Sequence, residues 1–230
     1  GMPYYLPQLV KARERGVVVT SEMEVFFDLC PCKIYAVTGS DGKTTTTSII
    51  AEMLKAAGKT VHLGGNIGCP LLPMVESIQK DDVAVVELSS FQLISMRKSP
   101  DVAVITNLAP NHLDIHKDMQ EYIDAKKNII LHQNAFGRAV LNLDNDITRG
   151  FGNLVRGDVS YFSRLGATHR GVCLDGGVIC YHKNGVAVSV MDTNDIRIPG
   201  NHNVENYMAA VAAVWGDVSP EQMRGVARSF

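Results

Sequence analysis

Short apolar runs alternate along this chain with segments of helical period, and that alternation predicts the architecture. Lys33-Ile34-Tyr35-Ala36-Val37-Thr38 reads as a short buried strand. After a glycine turn, Ile49, Ile50, Met53, Leu54 and Ala57 recur at helical spacing, and Gly58 stops the helix. Further strands are predicted over 60–63, 83–88, 102–107 and 138–142, with helices between most of them. Val83-Ala84-Val85-Val86 and Val102-Ala103-Val104-Ile105 are continuous apolar runs, as expected of strands covered on both faces. A doubly wound, mostly parallel α/β sheet follows.

The flanks differ. A short helix is predicted after Tyr4-Tyr5-Leu6-Pro7, then a strand over 16–20, then a helix with Ser21 as N-cap and Glu22 and Glu24 in its first turn. Beyond Gly152 the period shortens. Strands over 172–174, 178–182 and 186–190 are joined by the hairpin turns Gly176-Gly177 and Asn184-Gly185, an antiparallel β meander attached to the parallel sheet. Helices over 204–215 and 220–228 close the chain, the second capped by Ser219. Repeats, low-complexity stretches and charge blocks are absent from the sequence, so one mixed domain is the economical organisation.

Composition narrows the function classes. The chain has 230 residues, and a 46% hydrophobic content suffices for a core. Twenty-two basic against 24 acidic residues leave a net charge of −2, which gives no support for a nucleic-acid or membrane-surface partner. No apolar run approaches the ~18 residues a spanning helix needs. Gly1-Met2 reads as an added start with no secretory signal after it. Five cysteines without metal-ligand spacing (Cys30, Cys32, Cys69, Cys173 and Cys180) read as reduced thiols of a cytoplasmic protein. Cys30-Pro31-Cys32 is too tight for a C-x-x-C motif, and a Gly176-Gly177 turn sets Cys173 opposite Cys180.

The chemistry concentrates after the strands. Thr38-Gly39-Ser40-Asp41-Gly42-Lys43-Thr44-Thr45 links the first buried strand to the following helix. Glycines let backbone N–H groups approach phosphates, and the helix N-terminus faces the anion. Lys43 offers a charge for the outer phosphates and Thr44 a hydroxyl for Mg²⁺. The spacing departs from the usual P-loop: two residues separate Gly39 from Gly42, and Val37 stands where the usual first glycine falls. The order strand, glycine turn, lysine, helix nonetheless predicts ATP or GTP binding.

Glu87 ends the strand over 83–88, and the crevice of a doubly wound sheet lies at the carboxyl ends of its strands. It either holds Mg²⁺ against the phosphates or turns to water. Asn111-His112-Leu113-Asp114-Ile115-His116 follows the next strand. His112 reads equally as a ligand near the phosphates or as an exposed loop residue, Asp114 and His116 read as loop supports, and a zinc site lacks a further clustered ligand. Residues 119–133 are helical, with Met119, Tyr122, Ile123, Ile129 and Ile130 on an inward stripe that includes Lys126. Lys127 lies about 100° away on the polar side. Two fates stay open for Lys126: its ammonium snorkels to water, the commoner outcome, or desolvation leaves a neutral amine able to add CO₂ and become an anionic oxygen ligand.

Taken together these motifs resemble the Mur ligases, ATP-dependent enzymes that build the peptide stem of peptidoglycan. The loop at 38–45 is similar to that family's shortened phosphate loop. Glu87-Leu88-Ser89-Ser90-Phe91-Gln92-Leu93 is similar to the version in the D-glutamate-adding branch. Gly64-Gly65-Asn66-Ile67-Gly68, Asn111-His112-Leu113-Asp114, Tyr122-Ile123-Asp124-Ala125-Lys126 and Gly200-Asn201-His202-Asn203-Val204-Glu205-Asn206 extend the resemblance over nearly the whole chain.

The resemblance implies ATP bound by Gly39, Ser40, Asp41, Gly42, Lys43, Thr44 and Thr45, with Asn203 and Asn206 near the adenine. It implies Mg²⁺ held by Thr44 and Glu87, a second Mg²⁺ held by His112 and a carbamylated Lys126, and Asn66 and Ser89 on the muramoyl side. Lys43, Glu87, His112 and Lys126 are the catalytic set it implies. The implied reaction adds D-glutamate to UDP-N-acetylmuramoyl-L-alanine through an acyl phosphate in a monomeric enzyme. The rivals are another ligase of the fold, such as a folylpolyglutamate synthase or a different Mur enzyme, and a non-catalytic nucleotide-binding module. By the same resemblance, residues 1–32 are a linker and the end of a preceding domain, and 33–230 the central ATP-binding domain. The UDP-binding and C-terminal domains are then largely absent, and the fragment alone is expected to be inactive.

Overall fold

A computed structural model describes residues 4–109 and 116–230. Two short helices lead in, α1 (Pro7–Glu14) and α2 (Glu22–Leu29), the second capped as expected by Ser21, whose side chain accepts from the Glu24 N–H. The predicted strand over 16–20 does not form. Val17 and Val18 are 56% and 71% exposed, and an apolar run without a partner strand or a core to face gains nothing from being extended.

The sheet begins with β1 (Lys33–Thr38), followed by α3 (Lys43–Ala56), β2 (Val61–Gly65), β3 (Val83–Glu87) and the short α4 (Ser90–Leu93). Next come β4 (Val102–Ile105), α5 (Met119–Leu131), β5 (Arg138–Asn142), α6 (Asp146–Arg149) and β6 (Asp158–Ser163). The meander is β7 (Gly171–Asp175), β8 (Val178–Lys183) and β9 (Val186–Asp192), and α7 (Asn201–Val214) and α8 (Pro220–Ala227) close the chain. Among the described residues nine strands form one sheet in the order β2-β3-β1-β4-β5-β6-β7-β8-β9. Pairing is parallel from β2 to β7 and antiparallel from β7 to β9.

The apolar runs resolve into alternation between two cores. Tyr35, Val37, Val83, Val85, Val102 and Val104 face α3, α7 and α8, while Ile34, Ala36, Ala84, Val86, Ala103 and Ile105 face the opposite side with α2 and α5. A strand sandwiched this way has no polar face, which is why these runs lack a period of two. The chain leaves β1 over one face through α3 and leaves β4 over the other through α5. The connections therefore diverge beside β1, and the carboxyl end of that strand is where a doubly wound sheet is expected to offer a ligand crevice.

Two elements differ from expectation. β6 was not predicted: Asp158-Val159-Ser160-Tyr161-Phe162-Ser163 is half polar, yet it pairs in parallel with both β5 and β7 and carries the sheet into the meander. The helix expected over 204–215 starts at Asn201, so Asn203 lies inside its first turn. The capping box of Ser219 and Gln222 forms, and Cys173 stands opposite Cys180 in the β7–β8 ladder, both as free thiols.

Gly171 is the tightest point of the β6–β7 joint. Its φ is +129°, and a Cβ there would meet the backbone of Tyr161. Gly171→Ala is expected to destabilise the chain by at least about 2 kcal/mol, read as a lower urea midpoint, because it combines disfavoured backbone with a clash that no side chain can relieve.

Candidate active site

The loop over 38–45 is braced by its neighbours. β1 ends at Thr38, and the backbone turns through Gly39 (φ +153°) and Gly42 (φ +76°) into the first turn of α3. A Cβ on Gly39 would meet Thr106 and one on Gly42 would meet Asn206, so glycine is required at both. Side chains from neighbouring strand ends hold the turn. Ser40 N–H donates to the Asn107 carbonyl at 2.9 Å, and Asp41 N–H donates to Asn107 Oδ1 at 3.0 Å. Thr106 Oγ1 donates to the Asp41 carbonyl at 2.6 Å. Ser40 Oγ accepts from the Ala109 N–H at 2.9 Å and lies 2.9 Å from the buried Tyr122 hydroxyl. The N–H groups of the first turn of α3 have no intrahelical partners, and the helix dipole adds to their preference for an anion.

Lys43 opens α3 and folds back, its Nζ donating to the Ser40 carbonyl at 2.9 Å. Thr44, the next residue, is exposed and donates to Glu87 Oε2 at 2.7 Å. Glu87 is only 1% exposed and ends β3, where it is the register partner of Val37 one residue before the loop. Its other oxygen, Oε1, accepts from Asn66 Nδ2 at 2.8 Å. A hydroxyl and an amide thus occupy both carboxylate oxygens, as a buried charge requires. Glu87 does not turn to water.

Lys126 does not snorkel. It is 2% exposed, and its Nζ donates to Thr38 Oγ1 at 3.0 Å and to the Gly39 carbonyl at 2.8 Å. Thr38 Oγ1 in turn donates to the Leu88 carbonyl at 2.8 Å, which leaves its lone pairs for the lysine. Burial lowers the amine from the ordinary 10.5 to about 7, the nearby Lys43 charge pushes the same way, and the Glu87 carboxylate opposes both. Lys127, by contrast, reaches out to Asp124 at 2.8 Å.

The remaining predicted residues divide. Asn206 accepts from Thr46 Oγ1 at 3.2 Å and donates to Asn203 Oδ1 at 3.1 Å, so the α7 pair buttresses the loop beside Gly42. Thr45 lies in the first turn of α3, and Asp41 is exposed at the loop tip. Ser89 caps α4 in a capping box with Gln92. His112 and Asp114 fall in 110–115, outside the described residues. His116, expected to support its loop, is buried: Nε2 lies 2.8 Å from Ser90 Oγ, Nδ1 lies 3.1 Å from Glu121 Oε1, and the ring stacks on Phe91. Thr38, Thr106, Asn107 and Tyr122, none of them among the site residues expected from the sequence, also shape the site. The available signal was a polar residue at the carboxyl end of an apolar strand, or on an otherwise apolar helical stripe.

Among the described residues no group of three or more His, Cys, Asp or Glu side chains converges on a metal position. Mg²⁺ needs none: it binds hard oxygens, takes one or two carboxylates and keeps water and phosphate ligands, and the Thr44 hydroxyl beside Glu87 is a fitting donor set.

The chain is similar over most of its length to proteins of one family. The pattern described as Mur ligase middle domain matches residues 37–214. A UDP-N-acetylmuramoylalanine–D-glutamate ligase of Acetivibrio thermocellus is 54% identical over 230 residues, covering 100% of this chain and 49% of that protein. The ligase of the same name from Ruminiclostridium cellulolyticum is 50% identical over 230 residues, with 50% of its length covered. The chain therefore spans about half the length of the curated relatives it matches. Among solved structures, MurF from Acinetobacter baumannii superposes with a TM-score of 0.69 over 93% of this chain and 50% of that one, at 20% identity, a likeness of fold.

The Lys126 amine gives a stability signature. Its folded value is depressed, so between about pH 7 and 10.5 the unfolded chain holds a proton that the folded chain has released, and stability must rise with pH through that window. In CO₂-free buffer the wild-type chain should gain up to about 5 kcal/mol on Lys126→Met across this window, measured by urea unfolding at stepped pH. A pH-independent gap between the two proteins would contradict the buried amine.

Proposed function

The chain belongs to the Mur ligase family through its middle domain, and on that premise we propose that it is the ATP-handling part of an amide ligase that joins D-glutamate to UDP-N-acetylmuramoyl-L-alanine. The observation that carries the reading is the inward Lys126 amine, bonded to Thr38 and Gly39 at the foot of the phosphate loop. A solvent-facing ammonium would suit a passive nucleotide-binding module. A desolvated amine suits a catalytic site, because its neutral form can add CO₂, releasing a proton and leaving a carbamate.

In this reading the triphosphate lies against the first-turn N–H groups of α3, and Lys43 leaves the Ser40 carbonyl for the outer phosphates. Thr44 and Glu87 would hold one Mg²⁺, and the Lys126 carbamate with His112 a second. Bound there, the ions neutralise phosphate charge. Asn203 and Asn206 meet the nucleotide on the α7 side, and Asn66 and Ser89 face the muramoyl substrate. The muramoyl-alanine carboxylate takes the γ-phosphoryl group, ADP leaves, and the D-glutamate amine attacks the acyl phosphate to give an amide and phosphate. The protein contributes position and charge, and no side chain becomes a covalent intermediate.

Residues 33–230 are proposed as this central domain and 1–32 as the lead from a preceding one, although Met23 and Phe26 of α2 already pack into the core. No helix among the described residues is long and apolar enough to cross a membrane. A cytoplasmic enzyme is proposed, since the reaction consumes ATP, and it is proposed to act as a monomer.

A full-length ligase carrying this domain should release phosphate from ATP and UDP-N-acetylmuramoyl-L-alanine with D-glutamate and with no other amino acid; turnover driven by a different amino acid would reassign the substrate. This chain alone should bind ATP weakly and not ligate. Lys43→Ala should weaken its ATP affinity at least about tenfold, about 1.4 kcal/mol by calorimetry, and unchanged affinity would remove the loop from the mechanism.

A further inference from the structure

Two thiols meet at the amino end of β1, the opposite end of that strand from the phosphate loop. Cys30 ends α2, Pro31 turns the chain, and Cys32 immediately precedes β1. Their Sγ atoms are 3.5 Å apart, and Cys30 Sγ lies 3.8 Å from the Cys32 carbonyl oxygen. Cys32 is buried, whereas Cys30 is half-buried and follows Leu29, which is 57% exposed. Cys30 is therefore the more accessible residue of the two, and Cys32 lies in the core beside it. Residues two apart along the chain span at most about 7 Å between Cα atoms, which overlaps the range a disulfide bridges.

The surroundings sort the two sulfurs into different roles. The hydrogen bond from the Cys32 thiol brings Cys30 down to about 7 against its burial, with a further pull from the His62 charge and an opposing push from Asp101. The same hydrogen bond, together with burial, drives Cys32 upward. His62 is itself held by Asp82, with Nε2 2.8 Å from Oδ2. Among the described residues no third ligand completes a metal centre here. The Cys173–Cys180 pair faces across a ladder, but Cys173 is buried and burial raises the Cys180 thiol, so neither sulfur is both reachable and ionised.

We propose that Cys30 and Cys32 form a thiol–disulfide exchange site whose reactant is a small-molecule disulfide of the glutathione type, with Cys30 as the attacking sulfur and Cys32 as the resolving one. The Cys30 thiolate attacks one sulfur of the reagent, its S–S bond breaks, and the departing thiolate takes a proton from water. Cys32 then loses its proton, its sulfur attacks Cys30 Sγ, and the second small thiol leaves. Two protein thiols are oxidised by two electrons, and one small disulfide is reduced to two thiols. The site lies outside the proposed nucleotide crevice, so it stands whether or not the ligase reading does.

The test uses the chain as it is. Native protein is incubated with oxidised glutathione, its free thiols are alkylated, and it is digested with trypsin. The peptide over 16–33 holds Cys30 and Cys32 and no other cysteine, and the peptide over 171–183 holds Cys173 and Cys180. The first should appear two hydrogens lighter and unalkylated, forming at least about tenfold faster than the same change in the second. Cys32→Ser should instead retain glutathione on Cys30, and Cys30→Ser should show neither product. Peptide 16–33 remaining doubly alkylated, oxidation favouring peptide 171–183, or Cys30→Ser reacting at Cys32 as quickly as the wild-type pair would each overturn the proposal.

Discussion

An amine sealed from water at the base of the glycine loop over 38–45 is the constraint around which this domain is organised. Lys126 reaches Thr38 and Gly39 from α5, on one face of the sheet, while Lys43 and Thr44 enter from α3 on the other. The Lys43 charge disfavours the protonated form of Lys126, and the buried Glu87 carboxylate offsets part of that repulsion. Deleting Glu87 would leave its neighbours' donors unsatisfied as well as removing a charge. The three groups are therefore interdependent, and the Thr44–Glu87–Asn66 bonds keep the carboxylate fixed.

That arrangement depends on the topology. β1 is flanked by β3 and β4, so the residues that follow all three strands open onto the same edge. Glu87 comes from one side, Thr106 and Asn107 from the other, and the loop from the middle. Asn142, at the end of β5, extends the support by donating to the Thr106 carbonyl at 2.9 Å. The loop is held in one conformation by bonds to neighbouring backbone and side chains, so little further ordering of it is needed.

The edges of the sheet serve different ends. The carboxyl edge gathers ionised groups and hydroxyls that hard ligands recognise, whereas the amino end of β1 carries soft sulfur beside a histidine–aspartate pair. A strand of six residues separates them, so chemistry at one end can proceed without rearranging the other.

The sequence by itself determined the alternation of strand and helix, the glycine turn between β1 and α3, the meander and its hairpins, and the caps at Ser21 and Ser219, because each rests on local backbone preference or on a period set by neighbours in the chain. It also placed Lys126 on an inward stripe, but periodicity cannot say whether a long side chain stays inside. Only the tertiary structure decided that, by closing Thr38 and Gly39 over the amine. It likewise denied 16–20 a strand, recruited the half-polar β6 by offering it partners on both edges, set Asn66 against Glu87, and brought Tyr122 and Asn206 onto the loop at Ser40 and Gly42 from distant parts of the chain. Contacts between distant segments depend on which surfaces meet after folding, and no local pattern encodes that.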